Sequence, residues 1–192
     1  VLFSIMFVCT GNICRSPVAE RLLTARLSGA VDLTVSSAGS RALVGHPIDE
    51  PSALALRERG VDPRGHRARR LQPELIHGAD LILTASAEHR TAVLVQAPLA
   101  MNRTFTLREF TRLAAGLPPS GPSSLVPDAE HFKARVAAVA GQRGLVPVAA
   151  RGQDDIDDPY GRSVSVARAT VDITSDAIGR LIAALDLVPG VG

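Results

Sequence analysis

The chain opens on a largely apolar run, Val1 to Val8, turns polar from Cys9 to Ser16, and becomes helix-like from Pro17 to Leu27. An apolar run of that length is too short to cross a membrane and predicts a buried β-strand. In PVAERLLTARL, Val18, Leu22, Leu23 and Leu27 fall roughly on one helical face. Pro17 suits a first helical turn, where its missing N–H costs nothing. Val31 to Ser37 alternates like a strand, ended by Gly39 and Ser40. Glu50-Pro51 opens a short helix through Arg59, closed by Gly60. Gln72 to His77 predicts one or two helical turns. Ala79 to Ala85 is the near-continuous β-rich run that a central parallel strand requires. Glu88 to Ala97 predicts a helix stopped by Pro98, Asn102 to Leu107 a fourth strand, and Arg108 to Ala115 a short helix. In Ser163 to Leu187, Val164, Ala167, Val171, Ile178, Ile182 and Leu185 recur at roughly helical spacing, a long amphipathic helix. Strands alternate with helices and there is no hairpin signal, so the class is α/β, a layered sandwich around a small parallel sheet.

At 192 residues the chain suits one domain, 1–192, with a substantial core. Between Gly116 and Gln153 the composition shifts. Leu117 to Pro127 is rich in Pro, Gly and Ser and predicts a loop or linker, whereas Glu130 to Ala140 places Phe132, Val136 and Val139 at helical spacing. The formal net charge of +2 gives no ground for a nucleic-acid partner. The N-terminal run lacks a basic n-region and a long h-region, so no signal peptide is expected, and no membrane span either. The two cysteines, Cys9 and Cys14, share one loop, which is neither a secreted disulfide framework nor zinc-ligand spacing. A cytoplasmic protein with no metal and no cofactor is the expectation.

Strand, tight polar loop and helix in succession bring loop amides and the positive end of a helix dipole to one point, which favours an anion. Cys9 ends the strand and Arg15 begins the helix. Dipole and guanidinium both favour thiolate over thiol, and a nucleophilic sulfur under an oxyanion cradle is suited to phosphoryl transfer. Arg15 offers a planar fork for two phosphoryl oxygens, a geometry that lysine cannot copy. Gly11 permits close backbone approach, and Asn12 tolerates a left-handed backbone. Ser16 is either a helix cap or a donor to Cys9. Cys14 is either a small buried hydrophobe or a reversible disulfide partner for Cys9. Cys-x5-Arg by itself would arise by chance in about one such arginine-rich chain in five, so the strand before it and the Ser-Pro after it carry the weight.

Residues 8–17, Val-Cys-Thr-Gly-Asn-Ile-Cys-Arg-Ser-Pro, resemble the active-site loop of the low-molecular-weight protein tyrosine phosphatases, V-C-x-G-N-x-C-R-S-P, at every fixed position. The resemblance covers roughly 2–110 and 154–187, which makes about 116–153 look like an insertion. It implies a three-layer, flavodoxin/Rossmann-like fold around a four-stranded parallel sheet, with the phosphate-binding loop after strand 1. It also implies hydrolysis of phosphotyrosine proteins or small aryl phosphates through a phosphocysteine on Cys9, by a monomer or weak dimer. Asp158-Pro159-Tyr160 matches the family's Asp-Pro-[Tyr/Phe] before the last helix. Asp158 is then the general acid, preferred over Asp157 because Pro159 restricts the residue before it. By the same resemblance Thr10, Gly11, Asn12, Ile13, Cys14, Ser16 and Tyr160 bind substrate, Ser16 as donor to Cys9, while Ser37 and His66 brace the loop. Tyr160 is one aromatic wall of the cleft. Where many relatives carry an aromatic on the opposite wall this chain has Ala42, a lost stacking partner worth very roughly 1 kcal/mol.

Related loops serve other chemistry. Arsenate reductases need further cysteines, which this chain lacks, and have no use for Asp158. Protein arginine phosphatases carry Thr in place of Ile13, whose bulk argues against a guanidinium substrate. A silent phosphotyrosine-binding module would be expected to lack Cys9, Arg15 or Asp158.

Overall fold

The computed structural model describes residues 2–27, 33–118 and 128–187. β1 (Phe3–Cys9) is paired on both sides, in parallel, by β2 (Leu33–Gly39) and β3 (Leu81–Thr84), and β3 carries β4 (Thr104–Thr106) on its far edge. The four-stranded order is therefore β2-β1-β3-β4. The chain moves outward from β1 to β2 and then crosses back to β3, so the C-terminal end of β1 lies at a topological switch point, where open α/β sheets bind ligands.

Successive β1 side chains face opposite layers, as a strand dictates. Phe3, Ile5 and Phe7 enter the core shared with α1 (Arg15–Arg26), α2 (Glu50–Arg57), α5 (Leu107–Ala114) and α7 (Val164–Ala184). Met6 and Val8 enter a second cluster with Ile76 of α3 (Pro73–His77) and Val93 of α4 (Ala87–Gln96). Two apolar faces on one strand explain its unbroken hydrophobic run and make the molecule a three-layer sandwich.

The expected elements are present with shifted ends. β2 runs on through Gly39, because Gly39 is sandwiched between Cys9 of β1 and a bridge to Arg70. Ser28, Gly29, Val31 and Asp32, where the first helix breaks and the second strand was expected to begin, lie outside the described residues. The fourth strand is only three residues long. Pro98–Arg103 is instead a 3-10 segment, and Thr106 already caps α5 in a reciprocal capping box with Glu109, which ends the strand. α6 (Ala129–Gly141) buries Phe132, Val136 and Val139 in the main core, and the Phe132 ring lies 5.3 Å from that of Phe3. Beyond it, Arg143 lies 4.0 Å over the Phe105 ring and donates to Thr104 O at 2.7 Å, covering the short edge strand. Most of the expected Leu117–Pro127 linker, from 119 on, lies outside the described residues.

Candidate active site

The loop from Cys9 to Arg15 joins β1 to α1, and its carbonyls are held outward one by one. Thr10 O accepts from Arg41 N (3.0 Å), Gly11 O from Leu43 N (3.0 Å), Asn12 O from His66 Nε2 (2.7 Å), Ile13 O from Asp49 N (2.9 Å) and Cys14 O from Val18 N (3.1 Å). In a planar trans peptide the next N–H points opposite to each carbonyl. The amides of Gly11 to Arg15 therefore point away from these partners, towards the interior of the loop. That cradle adjoins a cleft of about 200 Å³ lined by Cys9, Gly11, Arg15, Leu43, Asp158 and Tyr160, among others.

Asn12 is the pin of the loop. It is fully buried at φ 55°, in the left-handed region that Asn tolerates. Its Nδ2 donates to Ser37 Oγ at 2.8 Å and Ser16 Oγ at 2.9 Å, and its Oδ1 accepts from Arg69 N at 2.9 Å. Ser37 in turn donates to Glu20 Oε2 at 2.5 Å. These bonds give the chain of hydroxyls a direction. With Asn12 donating into Ser16, the Ser16 hydrogen has two acceptors, Cys9 Sγ at 2.9 Å and, at the longer 3.4 Å, Ala38 O. The N-cap of α1 is Cys14 and Ser16 lies inside the first turn, so of its two sequence readings the structure keeps the contact to sulfur.

Asn12 and Ser16, expected among the substrate-binding residues, put their side chains behind the loop rather than in the cleft, because both are committed to this internal network. Thr10, Gly11, Ile13, Cys14 and Tyr160 line the cleft. His66 is buried against Asn12 O, and burial lowers its proton affinity more than that bond raises it. Cys14 is free, as is Cys9. Burial first, and then the Asp49 carboxylate, push the Cys14 thiol pKa up, which keeps it protonated.

Arg15 is nearly buried and held from three directions. NH1 donates to Ile156 O at 3.1 Å, and NH2 to Asp158 Oδ2 at 2.6 Å and Thr10 Oγ1 at 3.4 Å. Its Nε is buried with no partner among the described residues. The other Asp158 oxygen accepts from Tyr160 N at 3.2 Å, so the carboxylate is fixed by the turn that Pro159 enforces.

The acidic run preceding Tyr160 separates into distinct duties. Asp154 is gripped by Arg112, at 2.7 Å for the shortest of its bonds. Asp155 caps α4 by accepting from Ala87 N at 2.8 Å. Asp157 is exposed. Only Asp158 reaches Arg15. Thr106, Ala85 and Arg108 also bond the backbone here, so the segment that presents Asp158 is strapped to the sheet.

Several residues at the site had no expectation attached to them. Leu43 and Arg41, not Ala42, line the cleft together with Tyr160. A Cβ on Gly39 would lie 2.5 Å from Thr10 O, so only glycine lets β2 approach the loop. His89 meets Thr10 from α4. Gly39 has a trace in the sequence, a glycine directly after a strand's small residues. His89 has none, since its partner lies 79 positions away. Among the described residues no group of three or more His, Cys, Asp or Glu side chains could hold a metal ion.

The family model for the low molecular weight phosphotyrosine protein phosphatases matches residues 4–118. The low molecular weight protein-tyrosine-phosphatase Etp of Escherichia coli K12 is 46% identical over 107 residues, covering 56% of this chain and 70% of that protein. A protein-arginine-phosphatase of Geobacillus stearothermophilus is 30% identical over 179 residues, 93% of each chain. The crystal structure of a low molecular weight protein tyrosine phosphatase from T. tengcongensis superposes with a TM-score of 0.69 at 30% identity, covering 94% of this chain and 97% of that one.

Proposed function

Because the chain belongs to the low molecular weight phosphotyrosine protein phosphatase family, we propose that it hydrolyses phosphotyrosine and aryl phosphates with Cys9 as nucleophile, Arg15 as phosphoryl anchor and Asp158 as general acid and base. The observation that carries the reading is the Cys9 sulfur, hydrogen-bonded to Ser16, beneath inward amides and beside the Arg15–Asp158 pair.

In the first step the phosphoryl oxygens take the loop amides and the Arg15 fork, displacing Asp158 from the guanidinium. The Cys9 thiolate attacks phosphorus as the bond to the phenolic oxygen breaks. Asp158, protonated, delivers its proton to that oxygen, and the phenol leaves a phosphocysteine behind. In the second step the Asp158 carboxylate takes a proton from water, the water oxygen attacks phosphorus, and the P–S electron pair returns to sulfur. Ser16 stabilises the departing thiolate. A cleft walled by Tyr160 and Leu43 suits a flat ring reaching down to the sulfur. Among the described residues no helix is long and apolar enough to cross a membrane. A reducing, cytoplasmic setting suits a thiol nucleophile, and the partner is a phosphotyrosine protein.

The match to an arginine phosphatase over nearly the whole chain makes phosphoarginine the competing substrate. Initial rates on p-nitrophenyl phosphate, a phosphotyrosine peptide and phosphoarginine decide between them, with phosphotyrosine expected to be favoured. Cys9→Ser should abolish turnover of all three. An unchanged rate in that variant sinks the mechanism, and faster phosphoarginine turnover reassigns the substrate.

A further inference from the structure

His89 is buried, and it bridges its own helix to the loop that carries Cys9. Its Nδ1 lies 2.7 Å from Ser86 Oγ, at the N-cap of α4, and its Nε2 lies 2.8 Å from Thr10 Oγ1. That same Thr10 oxygen receives Arg15 NH2 at 3.4 Å. The charged groups that act on the ring are Arg15, Glu88, Asp158 and Asp155. Burial first, and the Arg15 cation second, hold His89 down to about 4, so the imidazole is neutral near neutral pH.

A neutral imidazole has one N–H and one bare nitrogen. With Arg15 donating to a lone pair of Thr10, a bare Nε2 gives the hydroxyl hydrogen an acceptor, and Nδ1–H finds its own in Ser86 Oγ. All the bonds then run in one direction, from Arg15 through Thr10 and His89 to Ser86. The consequence appears when substrate displaces Asp158. The guanidinium is then oriented from the protein side by Ile156 O on NH1 and Thr10 Oγ1 on NH2.

We propose that His89 is a positioning residue for the phosphatase reaction, the acceptor that turns the Thr10 hydroxyl so that its lone pair meets Arg15 and sets the plane of the fork. The inference rests on the reading of Cys9 and Arg15 as the phosphatase centre.

The test combines p-nitrophenyl phosphate kinetics of His89→Ala, His89→Gln, Thr10→Val and the Thr10→Val/His89→Ala double variant with imidazole 15N NMR near pH 7. His89→Ala should lower kcat/KM about tenfold or more, and His89→Gln, whose amide oxygen reaches the Nε2 position, should recover most of the rate. The double variant should be no more than about twofold below the poorer single one, since both break one chain of bonds. The wild-type ring should show hydrogen on Nδ1 and a bare Nε2, a preference that Thr10→Val removes. Undiminished kcat/KM in His89→Ala, multiplied losses in the double variant, or a proton on Nε2 overturns the proposal. If His89→Ala does not fold, the Thr10→Val rate and the tautomer decide. A wild-type protein without phosphatase activity would instead sink the underlying reading, while the NMR result would still report on the hydrogen-bond chain.

Discussion

Arg15 and Asp158 stand 143 positions apart in the chain and meet at 2.6 Å across the mouth of the cleft. Asp158 is about half exposed while Arg15 is nearly buried. Under the proposed mechanism an incoming phosphoryl group competes with this half-exposed carboxylate for the buried guanidinium.

Under the proposed mechanism, replacing Asp158 by Asn removes the proton donor and leaves the cradle intact. Turnover of phenyl phosphate, whose leaving group is poor, should fall by about 10² or more. p-Nitrophenyl phosphate, whose phenolate needs little help, should lose much less. Steady-state rates on the two esters measure the difference, and equal losses would mean that Asp158 is not the acid.

Gly39→Ala brings a methyl group to 2.5 Å from Thr10 O, a contact with backbone rather than with a flexible side chain. Either β2 or the Cys9–Arg15 loop must shift, at a cost of about 1–3 kcal/mol. A lowered Tm with a larger proportional loss of activity is expected, because Asn12 also crowds the new atom, at 3.0 Å.

Acid should destabilise the fold through His89. Its folded value of about 4 lies below the ordinary 6.5, so between those pH values the unfolded chain binds more protons. Stability is full above about pH 6.5 and is lost as pH falls towards 4, by up to about 3 kcal/mol. Urea denaturation across that window should show the slope, and His89→Gln should flatten it.

Arg112 holds Asp154 through three hydrogen bonds, four residues before Asp158. Arg112→Met should cost about 1–2 kcal/mol, since it leaves a half-buried carboxylate without its cation. Hydrogen exchange over 154–158 should quicken and kcat should fall severalfold. Unchanged exchange would show that the other straps, from Thr106, Arg108 and Ala85, suffice.

Much of the site was legible because its chemistry is local. Cys9, Gly11, Asn12, Arg15 and Ser16 are neighbours in sequence, and a strand followed by a helix dictates which way their amides and side chains face. Asp158 was legible only through a motif, and the four aspartates around Ile156 could not be sorted by composition. Their duties follow from which partner each meets: Arg112, the end of α4, solvent or Arg15. Leu43 was missed in favour of Ala42 because a one-residue difference in a loop decides which side chain points inward.

The amino-acid order by itself determined the apolar strands, the amphipathic helices and the loop that carries Cys9 and Arg15, since these arise from periodicity and short-range sterics. Tertiary structure decided what surrounds that loop. Ser37 and Gly39 of β2, His66, His89 of α4 and Asp158 reach it from stretches distant in sequence, and only the packing of two helical layers on one sheet brings them within a hydrogen bond or a van der Waals contact.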